Sequence, residues 1–569
     1  MQPGVGGDAM GFYAINLFGA YVGGGMKKVS ELVVPMGDAE NYRAREDKAF
    51  FNDVYFRTDY LDSLLDPRKY FLCGDKGTGK TAMAVYLHNN DYKDTRADHV
   101  FIRDTEIREL NNLRRSGRLA LPDSSLLWET AILLRVARMV DADVLDNGWL
   151  EKYSLLKSIK AALEKYYEER QNPEIKVDIE ILKNRQLAAT LVGEGVGKVD
   201  SSTGKSTKEK YPHFRDLVYA VNAQLKMALS KARYRRRIVI LLDGLDNRGE
   251  GTDPGQYKET LSALGSAVWS LNADFFSGIR DTLYRPKVVL LMRPEIVELI
   301  GLSNAALKMR DNAVELDWVV NDEAKFADSK LFRLVSHIIS AQQAELQLDP
   351  ARTWNHYFPY AHLGRNSFAA MLRQTYHRPR DLLTYIEYMR SSAGVVDNFE
   401  LSHFTSPETE RKFSEYLLAE IRNGLEYKLG RNERDLIPLF FKSFKGKKRI
   451  SYAEYCAAHE NFSRDCKRRD IIIGGSVFDN PDRLLQLLFE NNILAYIENT
   501  SDRSYFRWFF RERTLGDPAP KVEFDLIYVV HDGLAKALDV GAQKERSSVV
   551  KKAKSTGRRR RRRGNGAKE

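Results

Sequence analysis

Runs of apolar residues along the chain fall into two kinds. Short unbroken runs occur at "KYFLC" (69–73), "HVFIRD" (99–104), "RIVILLD" (237–243) and "KVVLLM" (287–292). Continuous runs of this length fit parallel strands buried on both faces. Between them, "TAMAVYL" (81–87), "SSLLWETAILLRVARMV" (124–140) and "WLEKYSLLKSIKAALEKYYEER" (149–170) carry apolar positions at helical spacing. Strands alternating with helices predict an α/β fold with a central parallel sheet.

The pattern changes further along. "QTYHRPRDLLTYIEYMR" (374–390) is an amphipathic helix that begins after a proline-containing turn. From about Glu410 helical stretches follow, "RKFSEYLLAEIRNGL", "RDLIPLFFKSF", "SYAEYCAAH" and "PDRLLQLLFENN", and then the β-like "ILAYIE", "SYFRWFF" and "DLIYVV". Helices closing on a short hairpin predict a winged helix-turn-helix.

Composition sets bounds on this picture. The chain has 569 residues, 43% hydrophobic and 29% charged, enough for roughly two to four domains. No apolar run reaches the roughly 18 residues needed to span a membrane. The first 25 residues are glycine-rich without a basic leader, so a secretory signal is not expected, and Met26 would serve as a start as well as Met1. Cys73, Cys456 and Cys466 are too few and too scattered for a disulfide framework or a zinc cluster, and a reducing cytoplasm fits them.

The net charge of +11 is concentrated at one end. Residues 541–569 hold twelve Lys and Arg against two Glu, and the rest of the chain is nearly neutral. Such a tail cannot bury a core; it is either a polyanion-binding arm or a solvated tail that touches nucleic acid only non-specifically.

The sharpest chemical signal follows the first apolar run. Gly74, Asp75, Lys76, Gly77, Thr78, Gly79, Lys80 and Thr81 fit G-x-x-x-x-G-K-[ST] between a strand and a helix, where backbone amides can converge on phosphate oxygens. Lys80 would neutralise the β- and γ-phosphates of ATP and Thr81 would ligate magnesium. "VDSSTGKST" (199–207) also ends in Gly-Lys-Ser, but it has Val199 at the first glycine position and no apolar strand before it, so it reads as a loop. The run at 237–243 ends in Asp243, placed to hold magnesium through water, and Asp246 is placed to polarise an attacking water. The run at 287–292 ends in Arg293, which would sense a γ-phosphate or form an ordinary ion pair at a strand end.

With those three strands, the chain resembles the STAND branch of P-loop ATPases. "LLDGLDN" is similar to the Asp-Gly-hydrophobic-Asp-Glu signature of the NACHT group, with Asn247 where that group has Glu. "LLMRPEI" resembles the Arg-Pro sensor strand of the same group, with Met292 replacing a small polar residue. The resemblance implies slow hydrolysis, because one acidic group is missing. It makes Pro379 the lid proline near adenine, and Arg378 and Arg380 resemble the lid arginines of AAA+ proteins related to replication initiators. "VVHDGLAKALDV" (529–540) is similar to the His-Asp motif of the NB-ARC group, in which His531 would touch the β-phosphate of ADP; the alternative is a helix start capped by Asp532. Arg280 and Arg285 are candidates for an arginine finger between subunits.

The layout expected from the resemblance is an N-terminal extension at 1–44, partly disordered, and a P-loop NTPase domain at 45–325 with an insertion at about 140–215. A helical lid at 326–408, a winged-helix domain at 409–540 and a basic tail at 541–569 follow. Two functional readings stand. One is a slowly hydrolysing STAND-like switch in bacterial stress or antiviral signalling, working as a homo-oligomer or through a separate effector protein. The other is a DNA-associated AAA+ initiator-like ATPase gripping DNA with its winged helix and tail. The exposed face expected for "PDRLLQLLFENN" carries Asp482 and Glu490 beside Arg483, which suits phosphates poorly.

Overall fold

The computed structural model describes residues 26–102, 121–168, 214–245, 253–297, 299–343, 349–426, 428–501 and 504–541. The chain divides into two compact units, Asp38–Asp317 and a second built from Met1–Gly37 with Trp318–Glu569. The decoy loop at 199–207, the tail beyond 541 and Asp246 with Asn247 lie outside the described residues.

In the unit Asp38–Asp317 the elements run α1 (Arg45–Val54), α2 (Asp59–Leu64), β1 (Phe71–Cys73), α3 (Lys80–Asn89), β2 (Thr95–Phe101) and α4 (Leu121–Met139). They continue with α5 (Trp149–Glu168), α6 (Phe214–Leu229), β3 (Arg237–Asp243), α7 (Pro254–Ser270), β4 (Lys287–Met292), α8 (Ala305–Asn312) and β5 (Ala313–Glu315). Among the described residues the sheet has five strands in the order β2-β3-β4-β1-β5, and every pairing is parallel.

A parallel sheet must be covered on both faces, and alternate side chains along each strand do this. Leu72, Val239, Leu241, Val289, Leu291 and Val314 share one core with Leu61 and Leu64 of α2 and with Met83 and Val85 of α3. Leu241 and Val239 are fully buried, and each burial contributes about 2 kcal/mol. Helix α4 packs against β3, α6 and α7, so its apolar face belongs to the core. Helix α5 differs: Leu155, Ile159 and Ala162 are buried, whereas Trp149, Leu150 and Tyr153 of its first turns are exposed.

Two three-residue strands escaped the pattern of apolar runs. One is β5; the other, Arg449–Ser451, belongs to the second unit. That unit contains α9 (Lys330–Ser340), α10 (Pro350–Tyr357), a two-stranded ribbon of β6 (Ala361–His362) and β7 (Arg365–Asn366), α11 (Ser367–Leu372), α12 (Pro379–Ala393) and α13 (Pro407–Gly424). Then come α14 (Leu436–Lys442), β8 (Arg449–Ser451), α15 (Tyr452–Arg468), α16 (Pro481–Glu490), β9 (Leu494–Asn499), β10 (Ser504–Arg507) and β11 (Ile527–Val530). The sheet here is antiparallel, in the order β10-β9-β11-β8. The lid and winged-helix stretches expected from the sequence fall in this one unit, as do residues 26–37. The N–H of Lys27 donates to Gln343 Oε1 at 3.0 Å and that of Val33 to Gln342 Oε1 at 2.8 Å. Trp354 stacks on Phe358 at 4.1 Å and meets Phe368 edge-on at 5.4 Å, forming an aromatic core beneath α9 and α11.

No helix among the described residues is long and apolar enough to cross a membrane.

Candidate functional site

The carboxyl ends of parallel strands are where an open α/β sheet presents its binding crevice. Three adjacent strands deliver the expected residues there. β1 leads into Gly74, β3 ends in Asp243, and Arg293 follows β4, which lies between them in the sheet.

The loop after β1 takes its shape from its glycines. Gly77 and Gly79 have φ of 86° and 94°, a left-handed backbone that suits residues without a Cβ. A Cβ on Gly74 would lie 2.6 Å from Thr78 Oγ1 and 3.1 Å from Leu316 Cβ, so the close turn requires glycine there for a different reason. Thr78 Oγ1 donates to the Asp75 carbonyl at 2.8 Å and ties the turn together. Gly79 is the N-cap of α3, and Lys80 is its first residue. The amino-terminal end of a helix therefore sits beside the loop.

Lys80 is buried, and its Nζ donates to the carbonyls of Gly74 at 2.8 Å and Asp75 at 3.1 Å. The ammonium is thus folded across its own loop, where an anion held by the loop amides would meet it. Cys73, just before the loop, is inert packing: burial pushes its thiol up to about 12.

Thr81, one residue into α3, donates its hydroxyl to Asp243 Oδ2 at 2.7 Å. Asp243 is 5% exposed, and its Oδ1 accepts from the N–H of Gly244 at 2.8 Å. Burial by itself would push this carboxyl up, but the His99 ring, the Thr81 hydroxyl and the Lys80 ammonium together hold it below the usual carboxylate range. Gly244 has φ of 90°, and a Cβ there would come 2.5 Å from the Ile102 carbonyl, which accounts for the glycine after the aspartate. The Tyr257 hydroxyl donates to the Leu245 carbonyl and anchors the turn that follows. Arg293 is half-buried at the end of β4. Arg280 and Arg285 precede β4 and lie toward the amino-terminal edge of the sheet, away from Lys80 of their own chain; Arg285 Nε donates to the Ile279 carbonyl at 2.8 Å.

Thr81 and Asp243 offer adjacent hard oxygens, which fit magnesium: the ion keeps several waters and takes one or two protein oxygens besides those of phosphate. Among the described residues no group of three His, Cys, Asp or Glu side chains could hold a metal on its own.

The residues expected in the second unit are engaged differently. Pro379 is buried as the first residue of α12. Arg378 forms a bidentate pair with Asp381, Nε to Oδ2 at 2.8 Å and Nη2 to Oδ1 at 2.9 Å, so this arginine is committed to the fold. Arg380 lies 3.8 Å from Glu420. His531 is 3% exposed, with its ring 4.5 Å from that of Tyr376 and 4.9 Å from that of Trp508. Its Nδ1 accepts from the N–H of Gly533 at 3.2 Å, so the histidine, not Asp532, caps the short 3-10 turn that follows. Asp532 pairs with Lys448 instead. Burial pushes the His531 imidazole down to about 4.

Sequence reasoning missed His99, the buried ring beside Asp243. His99 opens the run "HVFIRD", and only the pairing of β2 with β3 brings its ring to Asp243.

Residues 329–422 match a family described as the FunZ-associated C-terminal helical domain. The matched stretch runs from Ser329, the N-cap of α9, into α13, and is largely helical here. No curated protein matches the chain.

Proposed function

We propose that this chain is a P-loop ATPase of the STAND type, a nucleotide switch that binds ATP and hydrolyses it slowly. The observation that carries the reading is the meeting of Lys80, Thr81, Asp243 and Arg293 at one edge of the sheet, beside a glycine loop whose backbone conformations suit anion binding. Loop amides and the start of α3 would receive the β- and γ-phosphates, with Lys80 turning from its own carbonyls to their oxygens. Thr81 and Asp243 would hold magnesium, which draws charge from the phosphate oxygens when bound. Asp246 would orient the attacking water and Arg293 would read the γ-phosphate.

The domain assignments belong to the same proposal: P-loop NTPase core, helical lid with Pro379 and Arg380 toward the adenine side, and winged helix with His531 facing ADP. In the conformation described, His531 is turned inward, so contact with ADP would require its release from Tyr376, Trp508 and Gly533. Such a rearrangement is what distinguishes two states of a switch. By resemblance, the biological setting is bacterial stress or antiviral signalling in the cytoplasm, through self-assembly or a separate effector protein.

Calorimetric titration of the full chain with Mg-ATP tests this. The wild type is expected to bind, and Lys80→Ala to lose about a hundredfold in affinity, as removal of a charge-assisted contact to two phosphates implies. Equal affinity of the two proteins overturns the reading. ATP turnover strongly stimulated by duplex DNA, lost in high salt and on removal of residues 541–569, would move the assignment to the DNA-associated alternative.

A further inference from the structure

His99 lies in β2, the neighbour of β3, and its Cα pairs in register with Leu241. Side chains two residues apart share a face of the sheet, so His99 stands diagonally across from Asp243. The ring is buried, with Nε2 3.3 Å from Asp243 Oδ2. Its Nδ1 is buried and has no hydrogen-bond partner among the described residues. The main-chain N–H of His99 meets Nδ1 of His88 at 3.4 Å, so the backbone is tied independently of the ring.

These contacts favour one tautomer. A proton on Nδ1 would be a buried donor with nothing to accept it, which costs about 1–3 kcal/mol, whereas a proton on Nε2 points at the carboxylate. Asp243 is then gripped on both oxygens: Oδ1 by the Gly244 N–H, Oδ2 by His99 on one side and the Thr81 hydroxyl on the other. A lone pair of the Thr81 oxygen can take a cation while its O–H still donates to Oδ2, and His99 and Gly244 hold the carboxylate from the sides that Thr81 does not reach.

We propose that His99 is a positioning residue, which donates from Nε2 to Asp243 and keeps the carboxylate aimed at the cation shared with Thr81. This rests on the phosphate-loop reading above. It predicts an effect on magnesium rather than on the nucleotide, because partners that orient a metal ligand typically govern about 10–100-fold in metal affinity.

The test titrates magnesium into the full chain with a fluorescent ATP analogue and compares wild type, His99→Leu and His99→Gln. His99→Leu keeps the bulk and removes the donor; it is expected to raise the half-saturating magnesium concentration by about tenfold or more and to leave magnesium-free analogue binding within twofold. His99→Gln, whose amide can donate to the same oxygen, is expected to restore the wild-type response to within about threefold. Identical magnesium curves for wild type and His99→Leu overturn the inference while the phosphate-loop reading stands. No binding of the analogue to the wild type overturns both. If His99→Leu does not fold, ring-nitrogen NMR of the histidine-labelled wild type, assigned with His99→Gln, decides the matter: a proton on Nε2 supports the role, and one on Nδ1 removes it.

Discussion

Two polar centres of this molecule use similar residues to opposite ends. At the edge of the parallel sheet, Lys80 is satisfied by carbonyls of a loop that also presents amides, and Thr81 and Asp243 pair with each other. Each of those contacts can be exchanged for one to an anion or a cation. Around α12, Arg378 and Asp381 are closed on one another. Asp381 is fully buried and also accepts from the Tyr376 N–H at 3.2 Å and the Tyr416 hydroxyl at 3.3 Å. His531 nearby is packed between aromatic rings. On the proposed function, the first centre exchanges partners, whereas the second keeps them. Substitutions in the first should therefore show in binding, and those in the second in stability.

The largest expected effect breaks the closed centre. Asp381→Ala strands the Arg378 guanidinium without its partner, and loss of one member of a buried pair costs about 3–5 kcal/mol. Urea denaturation of the full chain measures it, with the transition of the unit that contains α12 moving to lower denaturant. A midpoint unchanged from the wild type would mean that the Arg378–Asp381 pair is not the closure described.

The next effect sharpens the comparison through pH. Burial holds the folded-state imidazole of His531 near 4, well below its ordinary value near 6.5, and His377 is also pushed down by burial. The unfolded chain therefore binds these protons more readily than the folded one. Stability from the neutral rings is fully present above about pH 6.5 and is lost as pH falls toward 4, by about 3 kcal/mol for His531. His531→Phe should flatten part of this slope relative to wild type in unfolding measurements between pH 7 and 4.5. Parallel profiles for the two proteins would contradict the buried neutral histidine.

The smallest effect probes the open centre. Gly79 has φ of 94°, yet a Cβ there would meet nothing within 4 Å. Gly79→Ala adds backbone strain of about 1–2 kcal/mol without a clash. Its stability should drop only slightly, while affinity for Mg-ATP falls about tenfold as the loop amides turn aside. A stability loss as large as that of Asp381→Ala, with ATP affinity unchanged, would reverse the roles given to the two centres.

The two centres also differ in how far the sequence could disclose them. The glycine loop after β1 was legible because it constrains the backbone: glycines at fixed intervals, a strand before them and a helix after. The strands at 237–243 and 287–292 were legible because a strand buried on both faces has to be apolar throughout. The strand read at "HVFIRD" runs instead over Thr95–Phe101, two of whose residues, Arg96 and Asp98, are charged; ion pairs to Asp141 at 2.6 Å and from Arg135 at 3.1 Å let them sit there. Strands β5 and β8, three residues each, are too short to show a period.

By itself, then, the sequence determined the alternation of strands and helices, the positions of the glycines and which carboxylate closes the apolar run at 237–243. These follow from local rules, the steric freedom of glycine and the exclusion of polar groups from a doubly covered sheet. Only the tertiary structure decided which side chains meet. Strand order put Arg293 between the glycine loop and Asp243, and the register of β2 on β3 set His99 diagonally opposite that carboxylate. Packing closed Arg378 on Asp381 and turned His531 inward to cap its own turn. Pairings across long stretches of chain depend on how whole elements stack, and no short window of residues contains that information.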